Sequence, residues 1–64
     1  MWIEIKDKCY NFNNIVKIDH TTQTRDVNIF SSVGSGWISI LCDTYEEAEE
    51  VYNKIKELLE IRSI

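Results

Sequence analysis

The C-terminal third is the only part of this sequence in which apolar residues recur with the period of an α-helix. From residue 44 to residue 62 they are spaced three and four positions apart, so they share one helical face. These residues are Ala48, Val51, Tyr52, Ile55, Leu58 and Leu59. Asp43 or Thr44 can cap the start, and a glutamate three positions later completes a capping box. We therefore predict one helix over residues 44–62.

The first 42 residues alternate between apolar and polar side chains, which is the pattern of half-buried β-strands. Turn-like segments divide them into four predicted strands, at residues 2–6, 9–20, 26–32 and 36–42. The second of these can break or bulge near Asn13 and Asn14. The predicted fold is α+β, a four-stranded antiparallel meander (ββββ) with one C-terminal helix packed on one face. At this length we expect a single domain, residues 1–64.

Two predicted turns set the register of the strands. Asp7 and Lys8 form a two-residue turn in the first hairpin, and Gly34 and Ser35 form a type II′ turn in the last. The predicted cross-strand pairs are Ile5 with Tyr10, Ile3 with Phe12, Ile29 with Ile40, and Trp37 with Ser32. The face expected under the helix then contains Ile3, Ile5, Tyr10, Phe12, Val16, Ile18, Val27, Ile29, Ile38, Ile40 and Cys42.

The opposite face of the predicted sheet mixes polar residues with large apolar ones. A single helix covers one face of a four-stranded sheet and leaves the other uncovered. The large apolar residues expected on the uncovered face are Trp2, Ile15, Phe30, Trp37 and Leu41. Such a patch approaches the few hundred Å² that marks an interaction surface. The alternatives are that these are single apolar residues of the kind common on surfaces, or that the predicted register is wrong. A second route to assembly is pairing through the unpaired outer strands.

A chain of 64 residues buries a small core. Natural proteins of this size add disulfides, a metal or a partner subunit. Cys9 and Cys42 are far apart and allow one bridge at most, and whether they pair stays open. His20 is the only histidine, so the usual Cys/His zinc sites cannot be built. We expect no cofactor and no metal, and we favour a homo-oligomer, with a dimer first, or a protein partner.

The charge and hydropathy patterns bear on partners and location. The net charge of −4 and the scattered basic residues make nucleic acid an unfavoured partner. No apolar run approaches the roughly 20 residues that span a bilayer, and the start lacks the positive region of a signal peptide. We expect a soluble protein without membrane association, in a reducing cytoplasm with free thiols.

Catalytic chemistry finds little support in the sequence. His20 follows Asp19, but neighbours in a strand point to opposite faces. Cys42 precedes the helix N-terminus, yet it is predicted to face the core, where cysteine behaves as a small hydrophobe. We therefore expect no catalytic residue. A small enzyme with a Cys42/His20 pair is the least favoured hypothesis. A nucleic-acid or nucleotide binder with stacking aromatics is the alternative to a non-enzymatic protein-interaction module.

Two short segments carry a resemblance. The opening residues 2–5 (WIEI) and the helix start at residues 43–49 (DTYEEAE) resemble many short uncharacterised bacterial and bacteriophage proteins. The resemblance covers only the two ends of the chain. It implies a cytoplasmic accessory protein of a phage or mobile element, such as an inhibitor of a host protein, and it implies no site residue. The strand-to-helix ending also resembles the closing part of pleckstrin-homology-like domains, which concerns topology alone.

Overall fold

The computed structural model describes residues 1–21, 23–33 and 36–64. In these ranges the chain forms five β-strands and then one helix. The elements are β1 Trp2–Ile5, β2 Lys8–Asn11, β3 Ile15–His20, β4 Asp26–Ser31, β5 Trp37–Leu41 and α1 Tyr45–Leu58. Antiparallel β1 and β2 form one sheet, and antiparallel β3, β4 and β5 form a second sheet in that order. The predicted α+β class with a single helix is confirmed, whereas the predicted single four-stranded meander is wrong.

The predicted second strand breaks at two consecutive asparagines. The Asn13 backbone N–H donates to Oδ1 of Asn11 at 3.0 Å, and Ile15 N–H donates to the Phe12 carbonyl at 3.4 Å. The bond from the Asn11 side chain to the backbone two residues later competes with the sheet ladder and favours a turn at Asn13 and Asn14. The turn sends the chain from the first sheet to the second, and it accounts for the extra strand.

The first hairpin turns one residue earlier than predicted. Lys6 and Asp7 have φ angles of 51° and 68°, and positive φ at both central positions is the mark of a type I′ turn. The predicted turn at Asp7 and Lys8 is therefore wrong. Ile5 pairs with Lys8 instead of Tyr10. Because every partner moves by two residues, each side chain stays on its predicted face.

The last hairpin shows the same kind of shift. Ile29 lies opposite Ile38, and Phe30 lies opposite Trp37, so every partner is two residues earlier along β5 than predicted. The faces of β4 and β5 are again as predicted, since a shift of two preserves the alternation. The predicted type II′ turn at Gly34 and Ser35 lies outside the described residues.

A β-bulge near the start of β3 reverses two predicted positions. Ile15 pairs with Ser31 and Lys17 pairs with Phe30, which leaves Val16 as the extra residue. A bulge of this kind shifts the alternation of side chains along the strand. Ile15 consequently packs against the core, whereas Val16 is 66% exposed. The predicted outward placement of Ile15 and inward placement of Val16 are both wrong.

Helix α1 is bounded by recognisable caps. The Thr44 side chain accepts a hydrogen bond from the Glu47 backbone N–H at 3.0 Å, as an N-cap does. At the other end Glu60 adopts a φ of 55°, and Ile61 N–H donates to the Lys56 carbonyl at 3.0 Å. These are the features of a Schellman C-cap. The helix therefore ends at Leu58 instead of continuing to residue 62 as predicted.

The core forms where both sheets and the helix meet. Its buried residues are Ile3, Ile5, Phe12, Val27, Ile29, Ile40, Cys42, Ala48 and Ile55. Tyr10 and Ile18 are partly buried and pack against it, as predicted. Ile38, predicted to be covered, is 44% exposed because α1 packs mainly against β3 and β4. No helix among the described residues has the length and apolar content needed to cross a membrane.

Candidate functional site

The face of the three-stranded sheet that points away from α1 is the candidate site, and we call it the outer face. It lies opposite the buried side chains of Val27 and Ile29, because side chains alternate along a strand. Its members on the three strands are Lys17, Asp19, Asp26, Asn28, Phe30, Trp37, Ser39 and Leu41. One helix covers the inner face only, so this face meets solvent.

Two aromatic rings form the apolar centre of the outer face. Phe30 and Trp37 are cross-strand partners, with ring centroids 5.8 Å apart and planes 14° from parallel. Phe30 is half-buried, whereas Trp37 is 57% exposed. Leu41 is 66% exposed on the same side of β5. Ordered, accessible aromatic and aliphatic groups of this kind commonly anchor protein interfaces.

A lysine at the β3 end of this row orders the aromatic pair. Lys17 Nζ lies 5.0 Å from the centre of the Phe30 ring, a cation–π distance. The same Nζ lies 3.7 Å from Asp19 Oδ2, and Asp19 Oδ1 accepts a hydrogen bond from Asn28 Nδ2 at 3.1 Å. Lys17, Asp19 and Asn28 are thus linked by polar contacts on this part of the face, although Asn28 Oδ1 is buried without a hydrogen-bond partner among the described residues.

A second carboxylate lies at the opposite end of the outer face. Asp26 Oδ2 accepts a hydrogen bond from Ser39 Oγ at 3.0 Å, and Asp26 is the cross-strand partner of Leu41. The hydroxyl groups of Thr24 and then Ser39 hold the pKa of Asp26 below its usual value. Asp26 is therefore ionised at neutral pH. The outer face therefore carries the Lys17–Asp19 ion pair at one end and a negative charge at the other.

The structure brings together three of the five residues predicted for the interaction surface. Phe30, Trp37 and Leu41 share the outer face. Trp2 is 69% exposed, but it lies on β1 in the other sheet. Ile15 packs against the core because of the bulge in β3, so its assignment to the outer face is corrected.

Two open grooves run along the flanks of α1, and the residue patterns of the sequence do not predict them. One, of about 420 Å³, separates α1 from β1, and the Lys6–Glu47 ion pair at 2.8 Å spans its rim. The other, of about 440 Å³, separates the C-terminal half of α1 from β3. The second groove exists because the break after Phe12 makes β3 an edge strand. The consecutive asparagines were the only sequence signal that pointed to this break.

The residues weighed for catalysis lie apart. His20 packs against the helix, with ring centroids 5.2 Å from Tyr45 and 5.7 Å from Tyr52. Cys42 follows β5 and is 2% exposed, and strand β4 lies between the strands that lead to these two residues. Burial, followed by the nearby Glu47 charge, raises the pKa of the Cys42 thiol. A raised pKa keeps the sulfur protonated, which is the opposite of an activated nucleophile.

The cysteines and acidic residues form no obvious metal or redox centre in the described part of the chain. Cys9 is exposed and Cys42 is buried, and both are free thiols. Among residues 1–21, 23–33 and 36–64, no three His, Cys, Asp or Glu side chains come together in a way that could hold a metal ion.

No protein-family model, no curated protein and no solved structure matches this chain. The geometry of the outer face and of the two grooves is therefore the basis for a functional proposal.

Proposed function

We propose that this protein is a non-enzymatic interaction module that forms a homodimer through the outer face of its three-stranded sheet. The observation that carries the proposal is the stacked Phe30–Trp37 pair, with Trp37 57% exposed beside the exposed side chain of Leu41. Burying these groups against an apolar partner is favourable by roughly 25 cal/mol per Å². A chain of 64 residues has a small core, so this gain is a substantial addition to its stability.

A second copy is the occupant that fits the outer face. A two-fold axis that crosses the strands at the level of Ser39 lays Trp37 of one copy on Leu41 of the other, and the reverse. The same rotation brings the Lys17–Asp19 ion pair of each copy toward Asp26 of its partner, where the Lys17 ammonium lies between two carboxylates. Isologous interfaces need this kind of self-complementarity in shape and in charge.

The size of the face sets the expected affinity. Three strands are about 14 Å wide at the usual inter-strand spacing of nearly 5 Å. Such a contact lies at or below the lower limit of about 1,200 Å² for stable interfaces. We therefore expect a dimer that dissociates on dilution. The alternative partner on the same face is a different protein, as the resemblance to short phage proteins implies.

A nucleic-acid binder is the second candidate, and one observation favours it. Lys17 lies over the Phe30 ring, next to the exposed ring of Trp37, and single-stranded nucleic acids bind to platforms of aromatic and cationic groups. The carboxylates of Asp19 and Asp26 on the same face weigh against a phosphate backbone, as does the net charge of −4.

A reducing cytoplasm remains the proposed location. Cys9 is an exposed free thiol, and exposed thiols persist in reducing compartments but oxidise elsewhere.

Light scattering across a concentration series tests the dimer. We expect the wild type to approach twice the 7.6 kDa chain mass at high concentration. Trp37→Glu should stay monomeric, because a charge replaces the ring that packs on Leu41 of the other copy. Trp2→Glu is the matched control, since it changes the other exposed tryptophan, which lies on the other sheet, and it should still dimerise.

A wild type that is monomeric at every concentration, or a dimer unaffected by Trp37→Glu, would contradict the homodimer. A gel shift with single-stranded oligonucleotides at low salt then separates the two candidates. Retention that is lost in Trp37→Glu would support nucleic-acid binding instead.

A further inference from the structure

The groove between β3 and the C-terminal half of α1, which we call the β3 groove, has an apolar floor. Phe12, Ile15 and Ile18 line it from the sheet side, and Leu59 and Ile61 line it beyond the helix end. Its volume is about 440 Å³, which is within the usual range for pockets that bind small ligands or peptide side chains. The opening runs along the side of β3 that faces away from β4.

The backbone of β3 has unpaired groups along this side. Ser31 N–H donates to the Gly36 carbonyl, so Ser31 directs its backbone groups toward β5. Successive residues of a strand direct their backbone N–H and C=O groups to opposite sides. Phe30, the neighbour of Ser31, therefore bonds to β3, where its partner is Lys17. The next residue of β3, Ile18, therefore directs its N–H and C=O away from β4. Within the described ranges, no strand pairs with this edge.

The rim of the β3 groove is positively charged in an otherwise acidic chain. Lys17 and Lys56 line it, and none of the described lining residues is acidic. Lys17 is paired with Asp19 on the outer face at 3.7 Å, so Lys56 is the lysine that an occupant of the groove meets first. Lys56 Nζ lies 5.0 Å from the centre of the Tyr52 ring, which holds its charge at the groove wall. The groove beside β1 differs, because two acidic residues, Glu4 and Glu47, line it together with its lysines. Charge complementarity thus favours an anionic occupant for the β3 groove.

We infer that the β3 groove binds an extended peptide segment of another protein, in which apolar and acidic side chains alternate. The peptide adds to the sheet as a strand next to β3 and pairs with the free N–H and C=O of Ile18. Because side chains alternate along a strand, its apolar groups enter the floor while its carboxylates point to the open side of the groove, within reach of the flexible Lys56 side chain. This site is distinct from the Phe30–Trp37 patch of the outer face, although Lys17 borders both, and it uses a different partner.

The test uses a synthetic eight-residue peptide, blocked at both ends, that alternates isoleucine or threonine with glutamate. Titration into isotopically labelled protein should shift the amide resonance of Ile18, and amide exchange at Ile18 should slow. A peptide with lysine in place of glutamate should bind at least tenfold more weakly. A peptide with N-methyl groups on alternate amides should also bind at least tenfold more weakly, because it cannot complete the ladder.

Lys56→Glu and Lys54→Glu form the matched pair of protein variants. Both reverse a charge on α1, but Lys56 lines the β3 groove while Lys54 lines the groove beside β1. Lys56→Glu should weaken binding of the glutamate peptide at least tenfold, and Lys54→Glu should change it less than threefold.

Several results would overturn the inference: no binding at millimolar peptide, equal binding of the lysine peptide, unchanged affinity of Lys56→Glu, or resonance shifts confined to the outer face. The titration is repeated in the Trp37→Glu background, in which the proposed homodimer is absent. Peptide binding that persists in this variant supports the β3 groove as a binding site whether or not the homodimer exists. The two proposals are therefore tested independently.

Discussion

Phe30 and Trp37 face each other across β4 and β5, with ring centroids 5.8 Å apart and ring planes 14° from parallel. The two residues form a non-hydrogen-bonded pair, because Ser31 next to Phe30 bonds to Gly36. Side chains approach each other most closely at such pairs. The observed register therefore creates an aromatic contact where the predicted register placed Ser32 opposite Trp37.

The first prediction is that these two rings stabilise each other. In a double-mutant cycle with Phe30→Leu and Trp37→Leu, we expect a coupling free energy of about 0.5–1.5 kcal/mol. The measurement is urea unfolding followed by circular dichroism, at a concentration where light scattering shows monomer only. A control cycle with Phe30→Leu and Trp2→Leu should give no coupling, since Trp2 lies in the other sheet. Coupling as small as in the control cycle would show that the stacking contributes nothing.

Residue patterns predicted the faces of the strands better than their partners. Ile29 is 1% exposed, as its position in the alternation requires, although it lies opposite Ile38 and not Ile40. Whether a residue is buried depends on which of the two alternating faces of the strand its position falls on, whereas its cross-strand partner depends on which residues form the turn. The first turn uses Lys6 and Asp7 at positive φ, where asparagine and glycine are the expected residues. Nothing in the residue types at this position identified it as the turn.

The candidate site was also predictable only as far as the alternation of side chains determines it. The alternation of side chains along β4 and β5 is enough to predict that the outer face contains Phe30, Trp37 and Leu41. The bulge at Val16 moved Ile15 inward, and a bulge depends on backbone pairing that alternation alone does not reveal. The β3 groove was missed for a related reason. It requires the strand break after Phe12, which turns an expected interior strand into an edge.

The second prediction concerns the ion pair between β1 and α1. Lys6 Nζ lies 2.8 Å from Glu47 Oε1. This hydrogen bond lowers the pKa of Glu47 from its ordinary 4.5 and raises the pKa of Lys6 from its ordinary 10.5. A lowered carboxyl pKa gives stability that is complete above 4.5 and is lost as the pH falls through the folded-state value. The lysine contribution is complete below 10.5 and is lost as the pH rises through its own folded-state value.

The wild type should therefore exceed Glu47→Gln in unfolding free energy across the neutral range, and the difference should vanish in acid. Denaturant unfolding at a series of pH values measures it. Added salt should reduce the difference at neutral pH, because both groups are partly exposed. Glu49→Gln on the exposed side of the helix controls for the loss of one negative charge. A difference between wild type and Glu47→Gln that persists unchanged in acid would assign the effect to packing instead.

The third prediction uses the C-terminal cap of α1, where Glu60 adopts a φ of 55°. This left-handed conformation is strained for residues with a Cβ, and glycine is the preferred residue at this cap position. Glu60→Gly should therefore stabilise the protein by about 0.5–1 kcal/mol. The same substitution at Glu50, in the exposed middle of the helix, should destabilise it by about 0.5–1 kcal/mol. Thermal unfolding of the two variants should thus shift the midpoint in opposite directions. If both midpoints fall, Glu60 does not occupy the left-handed cap, and the helix extends toward residue 62 as its periodicity predicted.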